Sequence, residues 1–325
     1  MNDVSFENLL LRARSGDARA LLHLGRRLLF GDRVAARPRE GYECIVQSAE
    51  RGDAEATAQL AVFAAWGVLR PQSWTDALDL TRRAAQLGWL PSQRQLQLLA
   101  RSPGTDWGAL RSQIDLESGR ISRPPRELSS APRIRAIDGF ATPAECAWLI
   151  ELARGSLRRA QIYRKDAPGY TEAFTRTNSE ADFVLGNADL VLRLVVERIA
   201  RAAGMAPANF EVAKLLHYEP GQQFAPHCDF QEPATPALAQ EVARRGQRVA
   251  TVLVYLNDDY EGGETDFPLV GLRHRAAQGD ALLFWNVKPS GALDYDTLHA
   301  GLPPTGGVKW VLSQWIRDRA VDGGS

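Results

Sequence analysis

The chain has 325 residues, enough for two domains with separate cores, and its 39 basic and 39 acidic side chains cancel. That balance removes the field that would draw it to nucleic acid or an anionic membrane, leaving a small molecule or a polypeptide as the expected partner. Three scattered cysteines, no signal-peptide pattern and no apolar run long enough to cross a bilayer point to a reducing compartment, expected to be the cytoplasm.

The first hundred residues repeat themselves. ARSGDARA at 13–20 returns as AERGDAEA at 49–56, and AQLG at 85–88 begins a third copy, each offset by 36 residues. A period of that size belongs to stacked helix pairs, none of which buries its apolar face alone. Leu21, Leu22, Leu24, Leu28 and Leu29 follow helical spacing within one copy. An all-α repeat domain is therefore expected over residues 1–115. It either recruits a protein partner or buttresses its neighbour. The stretch SGRISRPPRELSSAPRIRA at 118–136 has adjacent prolines and no apolar period, so a linker is expected over 116–133.

From residue 134 to 325 the texture is β. One helix opens at TPAE (142–145), with an N-cap hydroxyl, a proline in the first turn and the glutamate of a capping box. Another is expected from an Asn187 cap to Gly204. Short strand-like runs follow: EVAKLLHY, QFAPHCDF, RVATVLVYLN, GDALLFWN and KWVLSQWIRD, separated by Gly, Pro and Asp turns. QEPATPALAQEVARRGQ at 231–247 reads as an extended loop. The expected class is α+β: a jelly-roll, or double-stranded β-helix, domain with flanking helices, preceded by the helical repeats.

Within QFAPHCDF, strand alternation would turn His227 and Asp229 to one side and Cys228 to the other. His299 ends another expected strand, and Lys309 follows across the PPTGG turn. Two histidines and a carboxylate leave open positions on an octahedral ion, the arrangement of non-haem Fe(II) oxygenases.

Several motifs then occur in one order: RTN (176–178), LHYEPGQ (216–222), HCD (227–229), RVAT (248–251) with YLN (255–257), EGGET (261–265), and HAG (299–301) followed by KW (309–310). In these, residues 134–319 resemble the Fe(II)- and 2-oxoglutarate-dependent dioxygenases, in their prolyl 4-hydroxylase branch, and residues 10–100 resemble the Sel1-like, tetratricopeptide-type repeats. The resemblance implies that His227, Asp229 and His299 hold Fe(II). It implies that Lys309, Tyr218 and Thr251 bind 2-oxoglutarate, and that O2 and ascorbate serve the reaction. Arg248, Trp315 and Arg176 fall where such enzymes meet their peptide, Arg176 at the end of an expected mobile loop. The activity implied is hydroxylation of a C–H bond, of prolyl residues in a protein or peptide, releasing succinate and CO2. A free amino acid or small metabolite is the alternative substrate, and a non-catalytic protein-binding scaffold the alternative role. Two departures put prolyl specificity in question: Phe224 where tyrosine is frequent, and Asn178 where serine is usual. Lys309 and the neutral balance disfavour nucleic-acid dealkylases, which use arginine for the co-substrate, and the presence of Asp229 disfavours halogenases.

Overall fold

The computed structural model describes residues 6–163 and 170–321. It divides into two compact units, Met1–Ser118 with Ala188–Leu194, and Gly119–Asn187 with Val195–Ser325.

The first unit is built from helices that repeat their own caps. Asp17 and Asp53 each accept a backbone N–H three residues on, from Ala20 at 2.9 Å and Ala56 at 2.8 Å, and so open the helices Ala18–Phe30 and Ala54–Trp66. Gly31 and Gly67, both at φ 70°, close them in the left-handed conformation. In the third copy Trp89 replaces the capping aspartate, and the helix Leu90–Ala100 has Pro91 in its first turn and no side-chain cap. Between Ala18–Phe30 and Pro38–Glu50, two glycines let the backbones touch: a Cβ on Gly41 would lie 2.6 Å from the Gly25 carbonyl oxygen and 2.7 Å from the Leu29 nitrogen. Gly41→Ala is therefore expected to destabilise this unit by about 3 kcal/mol, since neither backbone atom can move alone. Gly52→Ala, strained only by its φ of 87° with no atom within 4 Å, should cost about 1 kcal/mol. Urea denaturation of the two variants checks the difference.

The second unit holds the sheets. The strands Arg126–Ser130, Arg133–Ile137, Ala281–Trp285, Arg248–Tyr255, Lys309–Arg317, Lys214–Tyr218, Ser179–Asp182 and Arg158–Arg159 lie in that order in one antiparallel sheet. Leu272–His274, Thr265–Phe267, His299–Gly301 and Phe224–His227 form a smaller one. The two sheets share a core: Phe267 of the small sheet meets Phe284 of the large one edge-on at 5.3 Å, among Ile134, Leu216, Tyr255, Leu282 and Val311. Burial of both inner faces holds the jelly roll together. The capping box at Thr142 and Glu145 is present, with bonds of 3.2 and 2.8 Å.

Several expectations are corrected here. The predicted linker contains the short helix Leu116–Arg120 and the strand Arg126–Ser130, which pairs with Arg133–Ile137 at the edge of the large sheet. An edge strand with mostly exposed side chains carries no apolar alternation, so nothing marked it as β. The predicted loop at 231–247 contains the helix Pro236–Arg245, opened by Thr235, whose hydroxyl accepts from Leu238 N at 3.3 Å. Asp189 rather than Asn187 caps the helix Leu190–Ala203, accepting from Leu192 N at 2.9 Å, because Asn187 is turned back to the Asp182 carbonyl. His299 begins its strand instead of ending one.

Candidate metal centre and active-site cleft

His227 and His299 face each other directly across an antiparallel pair, with ring centroids 4.3 Å apart. The strand carrying His227 ends there, Asp229 follows two residues on, and the chain bends from Asp229 onward. His227 Nε2 lies 3.6 Å from Asp229 Oδ1, and His299 Nε2 lies 3.6 Å from Oδ2. One donor atom from each of the three residues lies within 4.8 Å of the others.

The protonation pattern suits a cation. Each histidine sets its Nδ1 against a carbonyl, Ala225 O at 2.9 Å and Thr297 O at 3.0 Å. A carbonyl only accepts, so Nδ1 carries the proton and the Nε2 lone pair faces Asp229. Burial, reinforced by the adjacent His227, pulls His299 down to about 4, which keeps it neutral at physiological pH. Burial alone would push the Asp229 carboxyl up, and the Thr251 hydroxyl, which donates to it at 2.7 Å, opposes that by favouring the ionised form. Two imidazoles and one buried carboxylate form a donor set that fits a divalent ion.

A pocket adjoins this cluster, lined by Tyr218, Thr265, Lys309 and the three candidate ligands. Lys309 opens the strand Lys309–Arg317 and is 2 % exposed. Its ammonium donates to the Gly263 carbonyl at 2.6 Å, stands 5.3 and 5.4 Å above the Tyr218 and Tyr255 rings, and is paired with no carboxylate among the described residues. Burial lowers it to about 7. The same cause pushes the Tyr218 phenol up to about 12, so it remains a donor. Gly301 packs closely beside it, since a Cβ there would come 3.2 Å from the Tyr218 hydroxyl.

Outside the triad opens a cleft of about 540 Å³, with His227 and Asp229 among its lining and Arg176, Phe224, Gln231, Arg248 and Trp315 around them. Arg248 grips Glu211 with two bonds, 2.6 and 2.8 Å, and lays its guanidinium 4.1 Å over the Trp315 ring. Buried Arg317 donates to the same carboxylate at 2.7 Å. Burial opposes ionisation of Glu211, but the two arginines prevail and bring it to about 2. Arg176 is also buried, bonded to Glu180 at 2.7 Å and to Gln161 O at 2.8 Å, with its face 4.6 Å over Phe224. Phe224 in turn stacks on the His227 ring at 3.5 Å.

Comparison with known proteins decides what this assembly is. The description of the 2OG-Fe(II) oxygenase superfamily matches residues 213–317. "Probable prolyl 4-hydroxylase 10" of Arabidopsis thaliana is 33 % identical over 211 residues, which are 58 % of this chain and 70 % of that protein. The chain belongs to the prolyl 4-hydroxylase family of 2OG-Fe(II) oxygenases. Fe(II) and 2-oxoglutarate are accordingly its metal and co-substrate, and it is a dioxygenase. A viral collagen prolyl hydroxylase from Paramecium Bursaria Chlorella virus-1, solved with 2OG, is 29 % identical, covering 57 % of this chain and 95 % of that one with a TM-score of 0.44. A Sel1 repeat protein from Oxalobacter formigenes is 24 % identical, covering 34 % of this chain and 89 % of that one with a TM-score of 0.30.

Most residues expected at the site of this dioxygenase do meet. His227, Asp229, His299, Lys309 and Tyr218 surround one pocket, and Arg248, Trp315 and Arg176 line the adjoining cleft. Thr251 is a correction: its hydroxyl is engaged between Asp229 and Asn286 and does not line the Lys309 pocket. Thr265 holds that place, 2 % exposed, its hydroxyl 2.7 Å from that of Tyr255. The signal for it was present in EGGET, since Thr265 is two residues from the core residue Phe267 and shares its face. The arginines also differ from expectation, because their charges are already satisfied by glutamates and what they add to the cleft is flat guanidinium surface over aromatic rings. Of the predicted mobile loop, residues 164–169 lie outside the described residues; Arg176 at its end is fixed in a buried ion pair.

Proposed function

We propose that this dioxygenase hydroxylates prolyl residues within a protein or peptide, consuming O2 and 2-oxoglutarate and releasing succinate and CO2 so that one oxygen atom enters the C–H bond and one enters succinate. The reading is carried by a single juxtaposition: three side chains able to ligate a metal, two of them lining an open cleft, with a buried lysine that forms no ion pair among the described residues in the adjoining pocket. Bound at His227, Asp229 and His299, Fe(II) supplies the activation of dioxygen. Lys309 pairs with the distal carboxylate of 2-oxoglutarate, assisted by the Tyr218 and Thr265 hydroxyls. Phe267 and Phe284, 5.5 and 4.8 Å from the His299 ring, keep water from that side. The stacked surfaces Arg176–Phe224 and Arg248–Trp315 offer aromatic walls suited to a pyrrolidine ring and its peptide neighbours. The absent hydroxyl at Phe224 removes one donor from the cleft and leaves the wall intact.

The names of the relatives support the prolyl assignment, and the test is direct. Proline-containing peptides and free proline are incubated with the protein, Fe(II) and 2-oxoglutarate, and mass spectrometry locates any added oxygen. Oxygen on free proline alone would favour the small-metabolite reading. Ascorbate belongs to the same proposal as the reductant that keeps iron ferrous, so turnover should fade sooner without it. A cytoplasmic setting is part of it as well, consistent with three free cysteines among the described residues. The helical repeats are proposed to engage the protein substrate. Reversing Arg82 and Arg83, which line an open groove of that unit, should then raise KM for a whole protein and leave that for a short peptide unchanged.

The state of Lys309 adds a pH dependence. With its value lowered to about 7, the free protein holds the ammonium below that pH and loses it above. Binding the 2-oxoglutarate dianion above 7 then requires uptake of a proton. Its dissociation constant is expected to rise by about tenfold per pH unit there. Calorimetric titration across that range checks this, and a flat profile would refute the pairing.

A further inference from the structure

The candidate ligand Asp229 has a partner besides the two imidazoles. Its Oδ2 accepts the Thr251 hydroxyl at 2.7 Å, and the same hydroxyl oxygen accepts from Asn286 Nδ2 at 3.0 Å. A hydroxyl has one proton to give. Because the amide N–H occupies the oxygen of Thr251, that proton is directed at Asp229. Thr251 is 1 % exposed and Asn286 is fully buried, so no solvent competes for either bond. Both residues are fixed by their backbones. Thr251 lies between Phe284 and Trp315 in the large sheet, while Asn286 N donates to Val249 O at 2.9 Å and Asn286 O accepts from Asp294 N at 3.0 Å. Asn286 Oδ1 is buried without a partner among the described residues, an arrangement that costs about 1–3 kcal/mol. The fold tolerates that cost at a residue whose other amide atom orients Thr251.

We propose that Thr251 and Asn286 are positioning residues that keep Asp229 a one-oxygen metal ligand: the hydroxyl holds Oδ2 and leaves Oδ1 for the ion. This rests on the assignment of His227, Asp229 and His299 as the metal site. Its purpose is to conserve coordination positions. A carboxylate that swung both oxygens onto the metal would take a place that the 2-oxo acid or dioxygen needs.

The test uses the whole chain loaded with Co(II) alone, read by visible absorption, followed by titration with 2-oxoglutarate. Thr251→Val, which keeps the shape and removes the hydroxyl, should alter the Co(II) spectrum and weaken 2-oxoglutarate by about tenfold, the lower end of what outer-sphere partners are worth. Thr251→Ser should restore both to wild-type values, and Asn286→Ala should weaken 2-oxoglutarate by about threefold. A wild-type spectrum and co-substrate affinity in Thr251→Val would overturn the proposal, as would a Thr251→Ser protein as impaired as the valine variant. Should Thr251→Val fail to fold, Asn286→Ala decides, and wild-type behaviour in it overturns the idea. A wild-type protein that takes up no Co(II) would remove the metal site itself and this proposal with it.

Discussion

Asp229→Ala is expected to abolish 2-oxoglutarate turnover, lowering it by at least about a thousandfold, on the order of 4 kcal/mol, while the protein remains folded. The carboxylate is the only anion of the candidate donor set, and without it two imidazoles are left with no negative charge to hold a divalent ion. The fold has little to lose. Asp229 is 5 % exposed, and the burial of its charge offsets part of what its hydrogen bond to Thr251 contributes. Thr251 loses its acceptor, a cost of about 1 kcal/mol. The metal-free variant should therefore unfold within a few degrees of the wild type, or above it, as expected where a functional site is bought with stability. Calorimetric metal titration, succinate formation and thermal unfolding measure the three parts. Full turnover would end the assignment; a collapse in unfolding temperature would mean that Asp229 is structural.

Lys309→Ala should act on the co-substrate and spare the metal. Truncating one member of a buried, hydrogen-bonded charge pair costs about 3 kcal/mol, so the dissociation constant of 2-oxoglutarate is expected to rise on the order of a hundredfold. Metal affinity should not change, since Lys309 bonds to Gly263 and stands against two tyrosine rings, not against a ligand. Activity should partly return when 2-oxoglutarate is raised, which separates loss of an anchor from loss of the reaction. Lys309→Arg is not a conservative control, because a planar guanidinium presents its donors in a different geometry and is larger than an ammonium. Equal losses of metal and co-substrate affinity would instead indicate a collapsed pocket.

How much of this was legible in the chain depended on the range of the interaction concerned. Repeats and caps are local: the glycines and aspartates 36 residues apart become matching helix starts and stops, and TPAE becomes a capping box, because each depends on atoms within one turn. Ligand types were legible too, since metal chemistry restricts which side chains can serve. The role of a hydroxyl was not. Thr251 and Thr265 are both threonines in strands, one in the large sheet and one in the small, and only their neighbours distinguish them: Thr251 sits beside Phe284 and Trp315 and meets Asp229 and Asn286, whereas Thr265 meets Tyr255 in the Lys309 pocket. The arginines present the same difficulty. Arg248 is a free cation on paper and a satisfied one in space, because Glu211 arrives from a segment far away in the chain.

By itself, the order of residues determined the helical repeat, the β texture of the second half and the identity of the side chains able to hold an ion and an oxo acid, because each of these follows from backbone period or from donor chemistry. Tertiary structure alone decided which histidines oppose each other, and which threonine bonds Asp229 and which lines the pocket beside Lys309. The reason is physical: those outcomes are set by strand register and by the burial of both sheet faces, which join segments tens of residues apart and leave each buried polar atom to satisfy itself with whichever partner the packing brings.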